Sequence, residues 1–415
     1  MKKFISVFLS LAMILTMFTA VPLTASAETY EKTIDGITYK VDTETGTATV
    51  TGREGDIITA NILSEVDGYK VTSIGKGAFN SCYDLAEVTI PDSVTSLGDE
   101  AFSGCHKLKS VTIGNGVTSI GSKVFYYCLK LTEITIPESV TSIGYWAFNN
   151  CESLASVTIG NGVTSIGEGA FQQCDSLTEV TIGNSVKSIG KWAFNYCDSL
   201  ATITIPDSVT SIAYGAFSNC PKLTSITIPD SVTSIGGSVL EECDSLTTVV
   251  IGNGVTSIPS WAFSRCKSLK SVTIGDSVKS IDLAAFYKCT SLTEVTIPDT
   301  VTSIGYHAFG YYSDNALKDH KVENFTITGY TDSAAEIYAK NEGFAFVSLG
   351  RRVRKGDVNA DGKISVADAR KLVVAIANND TEELLNLGDV NNDGKISVAD
   401  ARKIVVAIAK NDFNF

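Results

Sequence analysis

Histidine is scarce: the 415-residue chain has three, His106, His307 and His320. None stands in a triad spacing, a zinc-binding pair or a nucleophile elbow, so chemistry that rests on a histidine base or ligand has no carrier. Carboxylates such as Glu87, Glu133 and Glu179 recur at repeat positions and read as solvated faces, and catalysis is not expected. Basic residues are also few, 33 against 46 acidic. The resulting charge of −13 repels phosphate backbones and argues against a nucleic-acid partner. The short run Arg351, Arg352, Arg354 and Lys355 reads as a solvated linker. Beyond residue 27 no segment is apolar and long enough to span a bilayer, so a soluble mature chain is expected. No cysteine lies outside one periodic column and no Cys-x-x-Cys pair exists, which removes the ordinary zinc sites.

The residues that are present begin with a targeting segment. Lys2 and Lys3 precede an apolar run from Phe4 to Ala20, and Ala25-Ser26-Ala27 fits a signal-peptidase site. Residues 1–27 are therefore expected to be a signal peptide of a secreted protein, not an anchor. That segment holds two lysines and no acid, so its loss takes −13 to −15.

Most of the remainder is a repeat of 23 residues. Ile90, Ile113, Ile136 and their successors to Ile297 share one column. Phe79, Phe102 and Phe125 open another that runs to Phe309, broken only by Leu240. A period that never slips marks stacked structural turns, none of which buries its apolar face alone. Val88 and Ile90 alternate with Thr89, the mark of a short strand with one buried face. Pro or Gly ends each strand, Val94 and Leu97 return the chain to the core, and Ala101 and Phe102 fill it. Eleven turns at the strand spacing give a stack about 50 Å long. Residues 36–52 read as an N-terminal hairpin. Near the other end, Ser333 to Asn341 reads as a helix with Ala334, Ile337 and Tyr338 on one side, stopped by Gly343.

Secretion with ten cysteines ordinarily suggests disulfides. Here Cys82 through Cys289 fall at steps of 23, so each is one rung of a column. Parallel Cβ vectors suit a disulfide poorly, and the column is expected to be free, buried thiols acting as small hydrophobes.

Within each repeat, Leu85-x-x-Val88-x-Ile90 matches the leucine-rich repeat core. The run Ile203-Thr204-Ile205-Pro206-Asp207-Ser208-Val209, with its continuation to Thr224, resembles the BspA-like leucine-rich repeats of bacterial surface proteins. The resemblance covers about 57–349. It implies a solenoid, mainly β with short irregular or helical turns, that serves as an interaction surface. The expected organisation is a hairpin cap over 28–56, the solenoid with its C-terminal cap over 57–349, and a separate module over 350–415.

That module is a duplication: residues 356–380 and 388–412 differ only at Ala360/Asn392, Leu372/Ile404 and Asn378/Lys410. Each copy opens with alternating oxygen donors of the kind a hard cation needs. Asp357, Asn359 and Asp361 take loop positions 1, 3 and 5. Gly362 takes the sharp turn, Lys363 offers its carbonyl, Ser365 stands at position 9 and Asp368 closes the loop. Asp389, Asn391, Asp393, Gly394, Lys395, Ser397 and Asp400 repeat the pattern, so two calcium ions are expected. An EF-hand has Glu at position 12 and a helix before the loop. This sequence has Asp and little room for that helix. Both departures fit dockerins, the duplicated loop–helix modules of cellulosome components, which this region resembles. The resemblance implies a small all-α calcium-binding fold and a cohesin domain of a scaffoldin as partner. In the helices, Ala369, Leu372 and Ile376 form an inward stripe. Val366, Ala367, Val373 and Val374, with Val398, Ala399, Val405 and Val406, occupy the positions that contact cohesin in dockerins. Near-identity of the halves suggests binding in two orientations.

The solenoid's ligand is open at this level. A ladder of threonines led by Thr89 lies between the buried strand residues, and β propensity accounts for it. Trp146, Trp192, Trp261 and His307 share one column, and Tyr145, Tyr214 and Tyr306 the one before it. These aromatics pack on the flank or grip a sugar chain. The function expected is that of a secreted, non-catalytic cellulosome-associated subunit whose solenoid binds a protein or cell-surface ligand, with plant polysaccharide as the alternative.

Overall fold

The computed structural model describes residues 28–314, 316, 318–351, 353 and 355–413. Residues 1–27, expected to be a signal peptide, and Arg352 and Arg354 of the basic run lie outside the described residues. The first three strands, β1 (Thr29–Ile34), β2 (Ile37–Asp42) and β3 (Thr47–Arg53), form an antiparallel meander. β2 and β3 are the expected hairpin and bury Tyr39, Val41 and Val50. β1 was not expected. Its first four residues are exposed, and pairing with β2 alone makes it a strand.

β3 then pairs in parallel with Tyr69–Ile74, which opens a ladder of two-residue strands. Ser96–Leu97, Ser119–Ile120 and Ser142–Ile143 follow in register, each 23 residues from the last. A second ladder holds the longer strands, including Glu87–Ile90, Ser110–Ile113 and Glu133–Ile136. Along these, Val88 and Ile90 are buried while Glu87 and Thr89 are exposed, as the alternation requires. Strand geometry lapses over 201–205, where Ile203 and Ile205 stay buried. This ladder runs past the strict repeats: Thr59–Asn61 precedes it, and Thr326–Thr331 and Ala345–Arg351 follow it.

The rest of each turn is a hydrogen-bonded bend. Phe102 N–H donates to the Val124 carbonyl at 2.9 Å, and Phe125 N–H to that of Ala147 at 2.8 Å. Two residues of every such bend take the left-handed region, for example Trp146 at φ +53° and Asn150 at +59°. Inside, the phenylalanines stack ring on ring, with Phe79 and Phe102 5.0 Å apart and 4° from parallel. Leu240 interrupts this row between Phe217 and Phe263. Each buried ring contributes about 1.5–3 kcal/mol relative to exposure.

All ten cysteines are free and buried beside this row. Each thiol finds an acceptor in the preceding turn: Cys105 Sγ donates to the Phe79 carbonyl at 3.3 Å and Cys151 Sγ to that of Phe125 at 3.2 Å. Burial pushes the Cys105, Cys151, Cys220 and Cys289 thiols up to about 12, from an ordinary 9.0.

At the C-terminal end, an inserted hairpin (Tyr311–Ser313 with Asp319–Lys321) breaks the period. Helix α1 (Ala334–Glu342) follows, N-capped by Ser333 and ended by Gly343 in the left-handed region. Its buried face is Ala335, Tyr338 and Ala339, which corrects the expected stripe: Ile337 is exposed. The Tyr338 hydroxyl turns the helix this way by donating to the Phe309 carbonyl and accepting from Phe309 N–H, both at 3.1 Å. Among the described residues, no helix is long and apolar enough to cross a membrane.

Candidate functional site

The duplicated module folds as two loops, each running into a helix: α2 (Val366–Asn378) and α3 (Val398–Lys410). In the first loop the side chains of Asp357 and Asp368 are fully buried. Main-chain N–H groups hold them in place. Asp357 accepts from Asp361 at 3.1 Å and from Gly362 at 2.9 Å. Asn359 Oδ1 accepts from Asp361 N–H, and Asp361 Oδ1 from Lys363 N–H, each at 2.9 Å. Asp368 accepts from Asn359 N–H at 3.0 Å and from Ser365 N–H at 2.7 Å. The second loop repeats these contacts. Asp389 accepts from Gly394 N–H at 2.9 Å, Asp393 Oδ1 from Lys395 N–H at 3.0 Å, and Asp400 from Asn391 and Ser397 N–H. Gly362 and Gly394 turn the loops at φ +86° and +78°, a region costly for other residues.

Each loop is also the start of its helix. Ser365 and Ser397 are N-caps in capping boxes whose third residue is Asp368 or Asp400. One carboxylate thus closes the loop and caps the helix. The segment before the second loop is helical after all, in a turn over Glu382–Leu384 and Leu385–Gly388, too short to be an EF-hand's incoming helix.

The donor set fits a hard cation. Among the described residues no Lys or Arg forms an ion pair with Asp357, Asp368, Asp389 or Asp400, and buried carboxylates without a counter-charge are costly. Among the same residues no three His, Cys, Asp or Glu side chains gather as a metal cluster by themselves. A cation in the first loop would accordingly draw on the Asn359 amide oxygen and the Lys363 carbonyl as well as on Asp357, Asp361 and Asp368. Calcium accepts such mixed oxygen sets.

The helices separate two faces. Ala369, Leu372, Ala401 and Ile404 are buried with Val358 and Val390 in the module's own core, and Ile376 packs against it. The opposite face is apolar but uncovered. Val366 is 60% exposed and Val398 62%; Val373, Val374, Val405 and Val406 are exposed, as are Ala367 and Ala399. All eight residues expected to meet a partner are therefore on the surface.

The aromatic column is more divided. Trp146 and Trp192 are half-buried and Trp261 is exposed, with Tyr145 and Tyr214 exposed beside them. Trp146 stacks between Tyr126 at 5.8 Å and Tyr145 at 4.7 Å, with Lys123 above its ring at 5.4 Å. Its indole edge lies over the next turn's Gly169, where a Cβ would sit 2.3 Å from Trp146 Cδ1. Trp192 covers Gly215 in the same way. Trp192 and Tyr214, like Trp261 and Tyr287, meet edge to face. The structure does not bring the three tryptophans together. It surrounds one of them with Tyr126 and Lys123, neighbours that a search for shared aromatics missed: Tyr126 lies in another column, and Lys123, one repeat earlier in the tryptophans' own column, is not aromatic.

The comparisons agree with both halves of this description. Residues 72–201 and 189–318 match the BspA type leucine rich repeat region, in six copies, and residues 355–408 match the dockerin type I domain. Both are interaction modules without catalytic machinery of their own. A leucine-rich repeat protein from Bacteroides ovatus is 28% identical, with 77% of this chain and 100% of that chain covered at a TM-score of 0.44. A leucine rich cell surface protein from Faecalibacterium prausnitzii is 29% identical, covering 70% and 96% at 0.40. The leucine-rich repeat protein of T. pallidum is 30% identical, covering 47% and 91% at 0.43. No curated protein matches. With the family model spanning more than half of the residues, this chain belongs to the BspA-type leucine-rich repeat proteins and carries a type I dockerin domain.

Proposed function

We propose that the protein is a secreted, non-catalytic subunit of a cellulosome-like assembly, released from its signal peptide after Ala27. Module 350–415 binds two calcium ions and docks on a cohesin domain of a scaffoldin. The ligands are Asp357, Asn359, Asp361, the Lys363 carbonyl, Ser365 and Asp368, with Asp389, Asn391, Asp393, the Lys395 carbonyl, Ser397 and Asp400 in the second loop. Calcium neutralises the buried carboxylates and locks the loops that cap both helices. The solenoid, ended by the 28–56 meander and by the elements that follow Phe309, holds a protein or cell-surface ligand.

One observation carries the docking reading: six exposed valines at equivalent places on two helices whose other faces are already buried. An uncovered apolar patch on so small a module marks a partner site. The test is calorimetry of the full chain against a panel of cohesins, with calcium and with a chelator. Calcium-dependent binding to a member, lost on Val373→Asp with Val405→Asp, supports the reading. Calcium uptake without binding to any cohesin overturns it. Loss of binding when one half alone is mutated overturns the two-orientation reading. A second reading of the solenoid, as a binder of plant polysaccharide, is favoured by the aromatic cluster at Trp146.

A further inference from the structure

Each bend carries a second left-handed residue just before its cysteine. Tyr127, Asn150, Gln173 and Tyr196 hold this place in four consecutive turns, at φ +57°, +59°, +58° and +57°. Identical backbone sets the side chains out in one line, about 4.8 Å apart. Main-chain bonds fix the spacing: Tyr127, Asn150 and Gln173 each donate to the residue before the next member of the line, at 2.9 Å. Tyrosine and glutamine are uncommon in this region of φ, where Gly or Asn costs least.

The line has a definite chemistry. Its ends are rings, Tyr127 at 38% exposed and Tyr196 at 47%. Between them Asn150 Nδ2 donates to Gln173 Oε1 at 3.0 Å, and Gln173 Nε2 has no partner among the described residues. The row behind is rigid and neutral: Asn149 donates to Gln172 at 3.1 Å and Gln172 to Asn195 at 2.9 Å. From Gly104 to Asn219 the column holds no charge, on a chain of −13; charge returns at Glu242. It also holds no aliphatic side chain that a protein segment would need for a pocket.

We propose that Tyr127, Asn150, Gln173 and Tyr196 form a binding strip for a neutral, β-linked polysaccharide. The two rings stack on sugar faces, and the amides between them exchange hydrogen bonds with hydroxyls. An extended chain presents its rings along a line, as this strip does. The proposal deepens the second reading of the solenoid and depends on no part of the docking reading.

The test is affinity electrophoresis of the full chain through gels holding neutral β-glucan, xylan or mannan, with a pull-down on cellulose. At least one of these should retard or retain the protein. Tyr127→Ala and Tyr196→Ala should each weaken binding about tenfold, the worth of one ring contact. Tyr127→Phe should bind as the parent does, and so should Tyr83→Ala, an exposed ring in another column. Far-UV spectra check that the variants fold. Absence of binding to every neutral polysaccharide overturns the proposal, as does binding unaffected by the double alanine variant or confined to charged polysaccharides. Cohesin binding measured on the same samples reports separately on docking.

Discussion

The cysteine ladder predicts a steep loss of stability in mild alkali. Nine thiols, Cys105 to Cys289, are held far above their ordinary value of 9.0 by burial: four to about 12, the other five well above 9.0. A folded-state value raised in this way leaves the stability contribution intact below pH 9. It is lost as pH rises from 9 towards 12, because the unfolded chain ionises first. At pH 10 the unfolded state gains on the order of 1 kcal/mol from each thiol, and nine together remove on the order of 10 kcal/mol. That is comparable with the whole stability of an ordinary domain. The assay is urea denaturation followed by far-UV dichroism in half-unit steps from pH 7 to 10.5. The midpoint should be level to about pH 8, begin to fall as pH nears 9 and drop by about 3 M between pH 9 and 10. Cys174→Ala, which removes one titrating group, should start lower and fall less steeply. An independent check is thiol labelling at pH 8, slow in the native protein and yielding ten thiols in denaturant. A level midpoint between pH 9 and 10 would refute the reasoning, and so would fewer than ten thiols after denaturation.

Three further outcomes follow from single contacts. Gly169→Ala places a Cβ against Trp146 in a left-handed position and should cost about 2–3 kcal/mol in thermal unfolding. Adding Trp146→Ala should return the steric part of that cost, and a purely additive double variant would refute the contact. Chelation of calcium should remove the helical signal of α2 and α3 while the solenoid's β signal persists, read by far-UV dichroism with EDTA. Ala360 sits at φ +58° where the other half has Asn392, so Ala360→Asn should stabilise the calcium-loaded module by about 0.5–1 kcal/mol in calorimetry.

What the sequence disclosed and what it hid differ for physical reasons. Burial leaves a periodic trace, so the strand Val88–Ile90, the phenylalanine row and the cysteine column were all legible from spacing alone. The duplicated loops were legible as loops because Asp, Asn and Gly at fixed spacing suit the turn that the main-chain hydrogen bonds of Asp357 and Asp368 close. Two-residue strands such as Ser96–Leu97 are too short to alternate, and only register with their neighbours makes them strands. β1 was invisible because pairing, not burial, creates it. The face of α1 was misjudged because one hydroxyl, that of Tyr338, decides the helix's rotation. The left-handed positions were hidden most thoroughly. Glu100, Lys123, Trp146 and Trp192 all occupy one, and in their column only Gly77, Gly169 and Gly215 hint at the backbone beneath, as Gly104 does in the column before the cysteine.

Those positions also explain how a chain this repetitive can carry a specific surface. Backbone bonds between turns and the stacked core set the fold, and both accept varied side chains at the left-handed sites, at about 1–2 kcal/mol each for residues other than glycine, except where a tryptophan covers the next site, as over Gly169 and Gly215. The solenoid is then a fixed grid, and its outer columns vary without disturbing it. Where the column before cysteine runs Tyr, Asn, Gln, Tyr, the grid presents a neutral line edged by rings. Where it runs Glu242, Arg265, Lys288, it presents charges that pair between turns, as Arg265 does with Glu242. The module with α2 and α3 has less freedom under the calcium reading proposed above, since the oxygen-bearing loop positions are the same in both halves and the differences fall at Ala360/Asn392, Leu372/Ile404 and Asn378/Lys410. Ligand choice by the solenoid should therefore respond to single outer substitutions that meet no neighbouring side chain and leave its melting unchanged, whereas substitutions of the loops' oxygen-bearing residues, such as Asp357 and Asp368, should cost folding and docking together.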